Sequence, residues 1–104
     1  MAIAVQSINT VASAVYTSVG ASAITSLTLC NYSPGDVTAS VFMVPEGYQP
    51  DVTNIVLSNV LITSGDTLQM YVAAEKVILG PGDAVYASAS ISSTLSVVAS
   101  YTQI

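Results

Sequence analysis

Apolar and polar residues alternate with a period of two along most of the chain, the repeat of a strand that buries one face. Val37 to Met43 reads Val-Thr-Ala-Ser-Val-Phe-Met, so Val37, Ala39, Val41 and Met43 share one face and Thr38, Ser40 and Phe42 the other. Asp83 to Ile91 repeats the pattern, with Val85, Ala87, Ala89 and Ile91 inward and Tyr86, Ser88 and Ser90 outward. Leu95, Val97, Ala99 and Tyr101 form a last stripe. Further strands are predicted over Ala2 to Gln6, Val11 to Thr17, Ser22 to Cys30, Ile55 to Ile62 and Thr67 to Val72. These stretches are rich in the β-branched residues that suit a pleated surface, and no segment shows a helical period. The expected class is all-β: a single antiparallel β-sandwich or jelly roll of about eight short strands, with residues 1–104 as one domain.

Turn residues punctuate these strands. Ser33-Pro34-Gly35-Asp36 and Gly80-Pro81-Gly82-Asp83 place proline second and glycine third, which predicts type II turns, because glycine takes the positive φ of the third position without steric cost. Gly65-Asp66 opens another strand, and Ile62 to Leu68 reads like Leu79 to Val85. The flanking residues do not match, so this is repeated hairpin grammar and not a duplication. Asp66 and Asp83 are expected to cap their turns through neighbouring backbone amides. A calcium site would need clustered oxygen ligands, and the chain has no Asp-x-Asp spacing. Val44 to Asp51, reading Val-Pro-Glu-Gly-Tyr-Gln-Pro-Asp, breaks the strand rhythm and is a loop. Its prolines lower the entropy lost on ordering it, so it either presents Tyr48 to a partner or crosses between sheets with Tyr48 folded back. Glu46, Tyr48, Gln49 and Asp51 are its candidate interface residues.

Composition narrows the function. The chain is 52% hydrophobic and only 7% charged, against roughly 25% charged residues in an ordinary soluble domain. Disorder and coiled coils both need more charge than this. There is no histidine, and Lys76 and Cys30 are the single cation and the single cysteine, so a catalytic triad has nothing to build from and no intramolecular disulfide forms. Cys30 lies in an apolar stretch and is expected as a small core residue. The net charge of -5 disfavours nucleic acid and anionic membranes, which are bound by clusters of lysine and arginine. Mean hydropathy of +0.69 raises the membrane question, but no window holds the roughly 18 consecutive apolar residues of a spanning helix. Tyrosines do not recur at strand ends as the girdle of a multi-copy membrane barrel would require. Residues 1–20 lack the basic start of a secretory signal. Neither a cofactor nor a metal site is indicated.

An isolated sandwich protects its edges with charge, lysine above all. Here the outward positions are Ser, Thr and Ala, as at Ser88, Ser90, Ser92, Ser93 and Thr94, which lose little entropy and desolvate no charge when covered. The expected partners are therefore other copies of the chain, joined through sheet edges. Residues 1–20, weakly amphipathic, are the candidate intersubunit arm.

Three motifs carry a family resemblance. Leu29-Cys30-Asn31-Tyr32-Ser33 is followed by Val37 to Pro45, and then by Val77-Ile78-Leu79-Gly80-Pro81-Gly82-Asp83 running into Ala87-Ser88-Ala89-Ser90. In this order they resemble a group of small virion structural proteins of tailed bacteriophages, over Leu27 to Ile104; the first 26 residues match nothing in that group. The resemblance implies a passive role on the virion and carries over no catalytic or metal residue. Small size and the lack of fibrous repeats favour a capsid decoration or cement protein contacting the major capsid protein, over a neck or tail component. Two other classes stay open. Tyr32, Tyr48, Tyr71 and Tyr86 offer platforms to a carbohydrate-binding module, although the chain has no tryptophan. An enzyme would need paired carboxylates, and only Glu46 with Asp51, or Glu75 with Asp83, lie near each other in sequence, on expected turns. The chain is not expected to be one.

Overall fold

The computed structural model describes residues 2–70 and 77–104. Among the described residues there are β1 (Ala2–Ile8), β2 (Ser13–Thr17), β3 (Ser22–Asn31), β4 (Val37–Val44), β5 (Ile55–Ile62), β6 (Thr67–Met70), β7 (Val77–Leu79), β8 (Ala84–Ala89) and β9 (Leu95–Gln103). They form two antiparallel sheets, one ordered β1-β9-β3-β6 with β7 also on β3, the other β2-β8-β4-β5. The pairings are nested: β1 with β9, β2 with β8, β3 with β6 and β7, β4 with β5. That is one long hairpin, bent at the loop between β4 and β5 and rolled so that successive segments fall alternately in the two sheets. Rolling brings β9 onto β3 and β8 onto β4. The result is a β-sandwich with the wrap of a jelly roll.

The period-two faces meet between the sheets. Ile8, Ile24, Leu27, Leu29, Val37, Val41, Val85, Leu95 and Val97 are buried there, and Met43 and Tyr101 pack at the margin. Residues 2–17 form the first edge strand of each sheet, where Tyr16 stacks on Tyr101 with ring centroids 4.0 Å apart. The strand β7 is not among the predicted ones. Val72, Tyr71, Glu75 and Lys76 lie outside the described residues.

Several inward or outward assignments need correction. Ile91 is 53% exposed, because β8 ends at Ala89 and the chain turns away through Ser90 N–H to the Thr38 carbonyl and Ser93 N–H to the Ile8 carbonyl. Ser40 is buried, since β5 bulges opposite it and Asn59 folds over, its N–H donating to the Ser40 hydroxyl at 3.0 Å. Cys30 is only half-buried: it alternates with the buried Leu29 and Asn31 and therefore sits on the outer face of its sheet.

The two proline turns differ. Gly82 has φ 82 and Asp83 N–H reaches the Gly80 carbonyl, as a type II turn requires. The segment from Ser33 to Asp36 is not such a turn, and Gly35 does not take positive φ. The reason is Asn31, wholly buried at the end of β3. Its side-chain oxygen accepts from the Ser33 N–H and hydroxyl, and its amide donates to the Gly35 carbonyl at 2.8 Å and the Ile62 carbonyl at 2.9 Å. The loop is folded around a buried amide instead of its own turn bond.

Candidate functional site

The loop predicted from Val44 to Asp51 runs from Pro45 to Asn54 and forms the tip of the rolled hairpin. Its first half is a type II turn, with Tyr48 N–H donating to the Pro45 carbonyl and Gly47 at φ 82. Its second half is held by Asp51, which accepts from the Thr53 N–H at 2.8 Å and from the Thr53 hydroxyl. The Thr53 hydroxyl, and after it the Thr53 amide, keep the Asp51 carboxyl below its ordinary value of 3.8. Asn54 closes the loop by donating to the Gln49 carbonyl at 2.9 Å.

Asp83 pins this loop to the neighbouring turn. One carboxylate oxygen accepts from Gly80 N–H at 2.9 Å, capping its own turn as expected, and the other accepts from Glu46 N–H at 3.0 Å. The Glu46 side chain lies across Gly82, so close that a methyl group there would stand 2.7 Å from it. Asp83 is thus engaged twice by backbone amides. Asp66 behaves differently from expectation, taking its bond from the Thr63 hydroxyl and not from an amide.

Between the pinned loop and the outer face of the β2-β8-β4 sheet lies a cleft of about 250 Å³. Thr17, Val44, Ala84 and Tyr86 come from the sheet side; Pro45, Gly47, Tyr48 and Gln49 come from the loop. The ladders bring the sheet residues together, pairing Thr17 with Ala84 and Ala84 with Val44. Tyr48, 65% exposed, is neither buried against the domain nor free of it, since it forms part of the cleft. Of the predicted interface residues, Tyr48 and Gln49 line the cleft, Glu46 lies against Gly82 beside it and Asp51 stabilises the far half of the loop. Tyr86 joins Tyr48 here, while Tyr32 lies exposed at the opposite end of the sandwich, after Asn31. Sequence reasoning did not find Thr17 and Ala84, whose only signal is long-range register.

No protein-family model, curated protein or solved structure matches the chain. The chemistry of the surface therefore carries the functional reading. No described strand contains a charged residue; Asp36 and Asp66 sit in loops at one end of the sandwich, and Glu46, Asp51 and Asp83 in loops at the other. Among the described residues, the faces and edges between are neutral.

Proposed function

We propose that the chain is a structural subunit of a tailed-bacteriophage particle, a capsid decoration or cement protein that stabilises the shell through contacts with its own copies and with the major capsid protein. The neutral strands carry this reading. A sandwich that stays alone in solution keeps charge on its faces and edges, whereas surfaces of Ser, Thr, Ala and Val are cheap to desolvate against a neighbour. The described carboxylates, gathered at the two ends, leave the described strands free for lateral packing. A jelly roll suits such a role, since it buries its core without helices or disulfides. A protein that binds the closed shell and not its loosened form shifts the balance by mass action, by about 2.7 kcal/mol per site at a hundredfold excess over Kd. The resemblance in the three motifs supplies the phage setting. Phage particles stripped of the protein should lose infectivity faster on heating and osmotic shock, and re-addition should restore them. Equal survival of stripped and decorated particles would remove the cement role, and antibody labelling at the neck or tail would move the protein there.

The cleft favours one second reading, a module for neutral carbohydrate. Two tyrosines, an amide and a hydroxyl around an uncharged hollow match the mixed apolar and hydroxyl surface of a sugar ring. A neutral-glycan array probed with the wild type and Tyr86→Ala tests it: absence of wild-type signal, or signal unchanged by the substitution, ends this reading.

A further inference from the structure

We propose that β1 is the edge through which two copies of this chain join, antiparallel about a two-fold axis, to make one continuous sheet; the inference rests on the assembly reading above and names its interface. The edges of the two sheets are not equally open. The edge strand β2 has a register break between Ala14 and Tyr16, and β5 has breaks at both Ala39/Val41 and Val41/Phe42 of its ladder with β4. The edge opposite β1 is divided between β6 and β7, which both pair with β3. A break in the ladder is one of the ways in which a sheet edge is kept from pairing with another chain.

None of these devices is present in β1. It runs Ala2–Ile8 in unbroken register against β9, without proline, glycine or charge. Among the described residues its only strand partner is β9, so its other edge presents unpaired backbone donors and acceptors. Ile3 and Val5, which share its outer face, are 66% and 65% exposed. The occupant that fits is a second β1. Each copy carries the charge of -5, and two such molecules approach most easily through a side without carboxylates, which this is among the described residues. Antiparallel pairing centred on Val5 sets Val5 against its two-fold mate and Ile3 opposite Ser7, an isologous contact that closes on itself.

The test is native mass by light scattering across a dilution series, for the full chain and for Val5→Lys, Ile3→Lys and, as a control outside β1, Val11→Lys. Val5→Lys places two ammonium groups directly opposed across the axis, and its outward position lets the fold accept it, which circular dichroism checks. The wild type is expected as an even-numbered oligomer; Val5→Lys and Ile3→Lys should raise the dissociation midpoint at least tenfold, and Val11→Lys should not. Hydrogen exchange of the wild type adds a readout independent of any variant, with β1 amides losing protection on dilution. An oligomer untouched by both β1 substitutions, or β1 exchange that ignores dilution, overturns the β1 edge and leaves the assembly reading standing. A wild-type monomer at every concentration overturns this edge together with self-assembly, leaving only docking onto a preformed lattice.

Discussion

Asn31→Ala is the substitution to which this fold should be most sensitive outside its apolar core. The native amide makes four side-chain hydrogen bonds, two accepted and two donated. They do not weigh equally. Ser33 and Gly35 belong to a surface loop, where water can replace much of what is lost, about 0.5 kcal/mol each on the low side of a net hydrogen bond. The bond to the Ile62 carbonyl is buried, and stripping its donor leaves an unsatisfied acceptor at a cost of about 1–3 kcal/mol. The total is about 2.5–4.5 kcal/mol, a large part of the 5–15 kcal/mol typical of a whole domain, and it corresponds to a fall in Tm of roughly 10–35 °C. Urea unfolding followed by circular dichroism should show a lower midpoint with an unchanged slope. Asn31→Asp separates the donors from the shape. It turns both donors into a carboxylate facing two carbonyls, so burial and repulsion raise its native pKa above the unfolded value. The variant should then gain stability as pH falls, where the acid is protonated, and be worst at neutral pH. A loss below about 1 kcal/mol for Asn31→Ala would refute the claim that the buried amide organises this end of the sandwich.

Other expectations follow from the turns and the loop. Gly82→Ala should cost about 1 kcal/mol, mainly through the positive φ, because the Glu46 side chain it meets can swing aside; Gly35→Ala, with open space and ordinary φ, should change the urea midpoint little. The Asp51 carboxyl should titrate below 3.8 in a carbon-detected NMR titration, and Thr53→Ala should return it toward that value. Because the native state favours the carboxylate, the order Asp51 gives its loop is complete above the ordinary value and fades as pH falls through the lowered one. Titration as a free aspartate would refute the Thr53 contact. Tyr48→Ala should leave the unfolding midpoint within about 0.5 kcal/mol of wild type, as expected of an exposed side chain; a larger loss would mean the ring supports the loop.

Much of the sandwich was legible because a strand with one buried face writes its period directly into the sequence. Val37, Ala39 and Val41, or Leu95, Val97 and Ala99, need no context to be assigned inward. What was hidden depends on partners distant in sequence. Asn31 occupies an inward position in step with Leu27 and Leu29, but alternation cannot say whether a polar residue there ends a strand or anchors a loop. Its bond to Ile62, in a strand with no sequence mark of contact, also explains why Pro34-Gly35 fails as a type II signal where Pro81-Gly82 succeeds. The cleft was half visible: Tyr48 and Gln49 lie on the loop that proline and glycine announced, whereas Thr17, Ala84 and Tyr86 reach it through the ladders of β8 with β2 and β4.

The nested hairpin also sets an order of events during synthesis. The pair at its tip, β4 with β5, joins segments near in sequence, such as Val37 with Ile62, and can close early. At its mouth Ile8 waits for Leu95 and Ala2 for Tyr101, so β1 leaves the ribosome long before β9 exists to receive it. The strand with the least protected edge is thus the one that stays unpaired longest, and nascent chains on neighbouring ribosomes can meet through it. Expression level and temperature should therefore decide between folded protein and inclusion bodies more sharply than the stability of the finished domain does.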